Sequence, residues 1–452
     1  MLRIARRFGE RRVALCAGVL GFACFMPYPA INVGRTSAIQ IGNILTALMV
    51  LPVAGLLLRR RPFNIYPALM LPMCLSTLIV AARGGEELSL SLKFTVAFGV
   101  SCLSLWAAQL YAPRYSIELL TGIAAATVVH AIVGLWQLHS FSAAQFPLVE
   151  LYVNQSFLSV QENVNVIARY IQRPFGIFPE PSAMSSSLAP WVLLWSAYFL
   201  EIIRFKREPA RWQRLLFAAA AAGGLVLIIL SRSGHAGVTL MAMAVLGAIW
   251  AMRTKAKPQV HLAVLAVAAI VLPFVVIMAV NALGDRMGGA RIMNSSWQER
   301  SSSLLVGFGL FTNGGIGTAL FGVGPGLSPP ALWELARLQA VWSVLLTYVY
   351  ETGLIGILVI AWIARYLLRT WRAAGRDIVF TAILGVWLVG VTITTSYGQL
   401  LPLWIALGWL TVWPSVCERV SHVRTTKAAS ADHGFAKPRF VTRHGALIRR
   451  GA

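Results

Sequence analysis

Apolar runs of about 20 residues recur along this chain from near residue 13 to near residue 415, the length a helix needs to cross a bilayer's hydrocarbon. Backbone N–H and C=O groups in lipid have no water to bond, so such runs are driven into helices. The runs place spans near 13–32, 38–58, 64–82, 91–111, 118–138, 185–203, 214–231, 235–252, 260–282, 339–364, 378–396 and 399–415. The expected fold is an all-α polytopic integral membrane protein with about twelve transmembrane helices. Charged residues make up 12% of the 452, against about 25% in a soluble domain. The expected organisation is a membrane domain over 1–415 and a basic, disordered tail over 416–452. The basic start Met1–Arg12 leads into another span rather than a cleavage site, so it reads as an uncleaved first helix.

The net charge of +23 raises nucleic-acid binding as a class, but the positions of the charges argue against it. With the N-terminus inside, 29 of the 39 Lys+Arg residues fall in inside segments, among them Arg3 to Arg12, Arg59 to Arg61, Arg204 to Arg214 and Arg419 to Arg450. Cytoplasmic loops carry this excess, and anionic headgroups are its partner. Both termini are expected in the cytoplasm. The five cysteines have no CxxC spacing and read as packing residues.

Two outer segments, about 140–184 and 283–338, are too long for connectors, and long loops on a rigid scaffold often carry binding and chemistry. Nine arginines lie outside against the topogenic bias, seven of them in three segments. Arg169 and Arg173 belong to the first long loop, and Arg232 to the turn Ser231-Arg232-Ser233-Gly234-His235. Arg286, Arg291, Arg300 and Arg337 belong to the second. Guanidinium groups grip phosphate oxygens bidentately, so a pyrophosphate-linked lipid is a natural ligand. The competing reading is ion pairing to Glu150, Glu162, Glu180, Asp285, Glu299 and Glu334.

Glu180 stands between Pro179 and Pro181, and a residue before proline avoids the helical region. That fixes a carboxylate where the sixth span begins, as a general base or as an arginine's partner; a plain Pro-rich helix entry competes. Phe321-Gly322-Val323-Gly324-Pro325-Gly326 is a tight turn whose N–H groups suit an anion, or simply loop punctuation. Ionisable residues inside spans default to functional hypotheses; here they are Lys93, His130 and Glu351. Snorkelling, a satisfied core histidine and helix packing are the bland alternatives. No metal-ligand set such as HExxH occurs.

Four stretches, RPFGIFPEPSAMSSSLAP (173–190), SRSGHAG (231–237), FGVGPG (321–326) and YETGLIGIL (350–358), together resemble the O-antigen polymerase and O-antigen ligase superfamily of bacterial envelope enzymes. The resemblance implies a GT-C-like helical glycosyltransferase of the bacterial inner membrane, working at its periplasmic face without metal or other cofactor. The implied donor is a glycan on undecaprenyl diphosphate, and the acceptor is a second lipid-linked repeat (polymerase) or lipid A-core (ligase). The implied partners are that lipid-linked oligosaccharide, membrane lipids and a chain-length regulator protein, with no nucleic acid. By position, Arg232 matches the family's Ser-Arg arginine, and Arg300 or Arg291 the arginine upstream of the glycine turn. Where ligases carry a histidine before the Glu-Thr-Gly glycine, this chain has Trp342 followed by Ser343, which favours the polymerase.

The resulting hypothesis gives Glu180 or His235 the base role. Arg232 and Arg300 stabilise the leaving diphosphate, and Arg169, Arg173, Arg291, Gly322, Gly324 and Gly326 bind donor. A lipid-linked oligosaccharide flippase or transporter is the alternative from another class. It requires polar residues through the bilayer, whereas here arginines gather at one face.

Overall fold

A computed structural model describes residues 2–26, 30–34, 37–60, 65–84, 87–142, 173–253, 302–303, 305–309, 314–336, 341–394 and 400–419. The protein is mostly helical. Helix α1 (Leu2–Ala23) leads to a hairpin of β1 (Ala30–Gly34) and β2 (Ser37–Gln40). Then come α2 (Ile41–Arg60), α3 (Ile65–Arg83), α4 (Glu87–Ser142) and α5 (Pro181–Phe199). Strand β3 (Ile203–Phe205) precedes α6 (Arg211–Leu230) and α7 (Gly234–Arg253). Two short helices follow, α8 (Gly315–Phe321) and α9 (Ser328–Ala336), and then the long α10 (Val344–Ala373). Helix α11 (Ile378–Val389) ends in a π-helical turn, Gly390–Thr394, before α12 (Leu401–Thr411), α13 (Trp413–Val416) and β4 (Cys417–Arg419).

Five of the described helices are long and apolar enough to cross a membrane: α3, α4 (over Glu87–Phe141), α6, α7 (over Gly234–Ala251) and α10. The run expected at 260–282 lies outside the described residues. Several expected boundaries move. The first helix ends at Ala23 rather than near 32, because Pro27 and Pro29 follow and proline removes a helical donor. Residues 30–34 and 37–40 pair antiparallel instead, with Ala30 opposite Gln40. The expected spans 91–111 and 118–138 correspond to two helices that meet at a kink at Tyr115 (φ −125°, ψ 36°), two residues after Pro113, and together make the 56 residues of α4. A straight helix of that length would measure about 84 Å, so the interruption divides it into two bilayer-sized halves. The tail expected from 416 begins later. Cys417–Arg419 pairs antiparallel with β3, Phe205 opposite Cys417, and residues up to Val420 belong to one compact unit. The remaining tail lies outside the described residues.

Helices α1 and α4 meet at backbone contact. A Cβ on Gly122 would come within 1.9 Å of Gly18 O, and one on Gly21 within 2.3 Å of Leu119 O. Small residues allow this in helix pairs that lack a hydrophobic drive to associate. Helix α5 is buried on all sides over Ala183–Trp195, the signature of a central helix. Trp191 meets Trp409 edge-on at 5.7 Å and Phe25 at 6.1 Å. This rigid helix fixes whatever stands at its N-terminus, Glu180 first.

At the opposite end of α5, ion pairs join Arg114 to Glu10 (2.8 Å), Arg207 to Glu118 (2.7 Å) and Lys206 to Glu418 (4.0 Å). The loops there are the ones in which the charge count gathers cations. These exposed pairs contribute little stability.

Candidate functional site

The four motif stretches come together in pairs. The first pair is RPFGIFPEPS with the SRSGH turn. Helix α4 pins the stretch before α5 from below. Gln137 Oε1 accepts from Phe175 N and Gly176 N, both at 3.0 Å, and its Nε2 donates to Gly176 O at 2.8 Å. Ile177 N–H donates to His130 Nδ1 at 3.0 Å. That nitrogen is therefore an acceptor, and Nε2 carries the proton it gives to Phe25 O at 2.6 Å. His130 is a satisfied core histidine that shapes the loop. Phe175, Ile177 and Phe178 are buried beneath it.

This loop delivers Glu180 to the N-cap of α5 in an extended conformation (φ −158°, ψ 163°), with proline on the helical side. The side chain makes no capping bond; it accepts instead from Ser182 Oγ. Glu180 and Arg173 are both half-buried.

A cluster of serine hydroxyls ties the start of α5 to the turn between α6 and α7. Ser185 Oγ lies 2.7 Å from Ser231 Oγ, and Ser233 Oγ donates to Ser185 Oγ at 2.9 Å. Ser231 Oγ is 3.1 Å from Ser233 Oγ and 2.7 Å from Ile228 O. Arg232 stands between the two turn serines, exposed and left-handed at φ 47°. Left-handed backbone is uncommon outside glycine, asparagine and aspartate.

His235 is placed differently from its expected role as base. It is fully buried, with Nε2 donating to Val386 O at 2.8 Å and Nδ1 3.4 Å from Thr239 Oγ1. A Cβ on Gly390, the first residue of the π turn, would come within 3.3 Å of Nε2. The imidazole is occupied holding α11 where its ladder changes register, and side-chain insertion is a recognised cause of such changes.

The second pair is FGVGPG with YETG. Helix α10 is interrupted at Gly353 (φ 67°, ψ −153°), a region open essentially to glycine alone. The glycine turn docks into that interruption. Val323 N donates to Tyr350 O at 2.9 Å and Gly324 N to Glu351 O at 3.3 Å. Gly322 N closes α8 on Thr318 O at 2.8 Å. The N–H groups of Gly326 and Ser328 bond the Glu351 carboxylate, and Ser328 Oγ donates to it at 2.7 Å. Ser76 Oγ of α3 reaches Phe321 O at 2.5 Å and Glu351 O at 2.7 Å.

These contacts correct the expectation that Gly322, Gly324 and Gly326 present open N–H groups to a substrate anion. The group in this cradle is the chain's own Glu351 carboxyl, 5% exposed. Depth explains the arrangement. Glu351 lies about 12 Å along α10 from its capping residue Ser343, and Ser76 about 10 Å from the end of α3. Irregular backbone that far into apolar surroundings survives only where protein satisfies it.

Ser343 follows Trp342, which stands where the resemblance implies a histidine for a ligase. It caps α10 by accepting from Leu346 N at 3.2 Å and lies 3.4 Å from Val391 O of the π turn. Arg169, Arg291 and Arg300 lie outside the described residues. Sequence reasoning passed over Ser182, Ser185, Gln137 and Ser328. The density of serines in SAMSSS and SRS, within an otherwise apolar stretch, was the signal for the first two. No protein-family model and no curated protein sequence matches the chain.

Proposed function

We propose that this protein is a membrane glycosyltransferase that polymerises undecaprenyl-diphosphate-linked oligosaccharide repeats into O-antigen or exopolysaccharide. In this reading it has about twelve spans in a GT-C-like arrangement. It sits in the bacterial inner membrane with both termini cytoplasmic, and reaction takes place at the periplasmic face without metal. The supporting observation is the meeting of RPFGIFPEPS and SRSGH. A half-buried carboxylate, Glu180, and an exposed guanidinium, Arg232, stand on neighbouring turns linked by serine hydroxyls.

Arg232, helped by Arg173 and Arg300, holds the donor diphosphate and stabilises the charge that grows on it. Glu180 takes the proton of the acceptor hydroxyl. The hydroxyl oxygen bonds to the anomeric carbon, the bond from that carbon to phosphate oxygen breaks, and undecaprenyl diphosphate leaves with the electron pair. Of the two candidate bases we favour Glu180, because His235 is sealed inside the bundle. Arg169 and Arg291 extend the donor site in this proposal.

The test is deletion of the gene in its native host, complemented by wild type or Arg232→Ala. Lipid-linked single repeats should accumulate on deletion, and long polymer should return with wild type only. Normal polymer from Arg232→Ala sinks the diphosphate clamp. A single glycan transferred to lipid A-core, without a length ladder, makes the protein a ligase instead.

A further inference from the structure

Left-handed backbone alone does not distinguish Arg232. Glu201 (φ 53°) and Arg376 (φ 56°) adopt it too, just past the ends of α5 and α10, where a left-handed residue is an ordinary way to end a helix. The residues on either side of Arg232 do distinguish it. Ser231 Oγ and Ser233 Oγ both hydrogen-bond Ser185 Oγ on a different helix, at 2.7 and 2.9 Å. Ser231 and Ser185 are fully buried. Ser185 also reaches Pro181 O at 2.9 Å, one residue after Glu180. The Ser233 N–H lies 3.3 Å from Ser231 Oγ, which closes the turn on itself.

We propose that Ser185 is a positioning residue for Arg232, holding the guanidinium toward a lipid diphosphate at a fixed distance from Glu180; this rests on the reading of the site given above. The chemistry follows from the connections. A long cation on an exposed turn samples many rotamers, and fixing its backbone reduces the freedom lost on binding. Ser185 sits on a helix buried on all sides over Ala183–Trp195, so the turn inherits that helix's rigidity. Through Pro181 O the same hydroxyl group is linked to the segment that carries the carboxylate. Ser185 touches no ligand in this account and acts through Arg232.

A double-mutant cycle tests this. The full chain is placed in phosphatidylethanolamine–phosphatidylglycerol nanodiscs, and binding of undecaprenyl diphosphate is measured by native mass spectrometry. Wild type, Ser185→Ala, Ser233→Ala, Arg232→Ala and the Ser185→Ala/Arg232→Ala pair are compared. Residues in one hydrogen-bonded network couple, so Ser185→Ala and Ser233→Ala should each weaken binding about tenfold. In the Arg232→Ala background Ser185→Ala should change nothing, whereas a general structural defect would persist there. The positioning role is overturned if Ser185→Ala binds like wild type, or if its loss is the same in both backgrounds. If Arg232→Ala itself binds undecaprenyl diphosphate like wild type, the site reading falls, and the positioning role with it.

Discussion

At the start of α5 and at the interruption of α10, similar materials serve opposite ends. Both places join a Pro- or Gly-rich stretch to a helix terminus, and both hold a carboxylate beside serine hydroxyls. At α10 everything turns inward. Glu351 is buried, its acceptors are met by Ser328 and by the turn's N–H groups, and the turn's remaining donors close on carbonyls of α10 and α8. At α5 the serines are bonded to one another while Arg232 projects into the open. A motif satisfied by its own chain specifies a fold, whereas a motif that spends its neutral groups on geometry and leaves a charge exposed has something to offer a ligand. The α10 pair is best understood as a latch, and the α5 pair is the one we propose as the working site.

The sharpest way to break that distinction is at the latch. Gly322 (φ 78°, ψ −176°) and Gly353 both occupy conformations that belong to glycine. A Cβ on Gly353 would meet Gly322 N at 2.6 Å, and one on Gly322 would meet Glu351 C at 2.2 Å. Gly353→Ala should cost about 1–3 kcal/mol in backbone strain alone, with the backbone clash in addition. The expected outcome is a large fall in the melting temperature of the detergent-solubilised protein and in its yield. Gly385→Ala, where a Cβ meets nothing within 4 Å, is the control and should melt like wild type.

At the working site the expected effect separates from stability. Arg232→Gly removes the charge from a position whose backbone glycine adopts freely. Stability should stay within about 1 kcal/mol of wild type, while polymer formation falls roughly 100-fold, as for loss of one donor to a developing anion. Should melting temperature and activity fall together, Arg232 would join the latch class. Glu351→Gln is the converse and smaller change. It keeps one accepting oxygen for Ser328 and weakens the cradle by about 1–3 kcal/mol. Its binding of undecaprenyl diphosphate should equal that of wild type.

Why the two places were hard to tell apart in the sequence is clear from the residues. Apolar runs mark where helices form, and α3, α6, α7 and α10 fall close to those runs. The kink of α4 at Tyr115 falls beside Pro113 and Arg114, which also read as a break between two runs. The extended Glu180 followed from its two prolines, since that constraint is local. The partners of FGVGPG did not follow, because the N–H groups of Val323 and Gly324 close on α10, a contact that only folding creates. Nor does Arg232's anchor, since Ser185 and Ser231 are 46 residues apart. Local conformation was legible, and the choice between inward and outward use of a motif was not.

His235 offers the finest test, because it stands next to the working site in sequence and belongs with the latch in structure. Its ring donates to Val386 O and packs against Gly390, so what the position needs is a side-chain N–H of the right reach. His235→Gln supplies one. The expected result is polymer synthesis within about threefold of wild type, since a lost general base would cost some 10²–10⁴-fold. A folded His235→Gln protein with no activity would return the base role to His235 and draw the boundary of the working site around the whole SRSGH turn. Retained activity leaves Glu180 as the carboxylate to test. It also confines that site to the surface where α5 begins, with the arginine turn beside it and the imidazole serving the π turn behind.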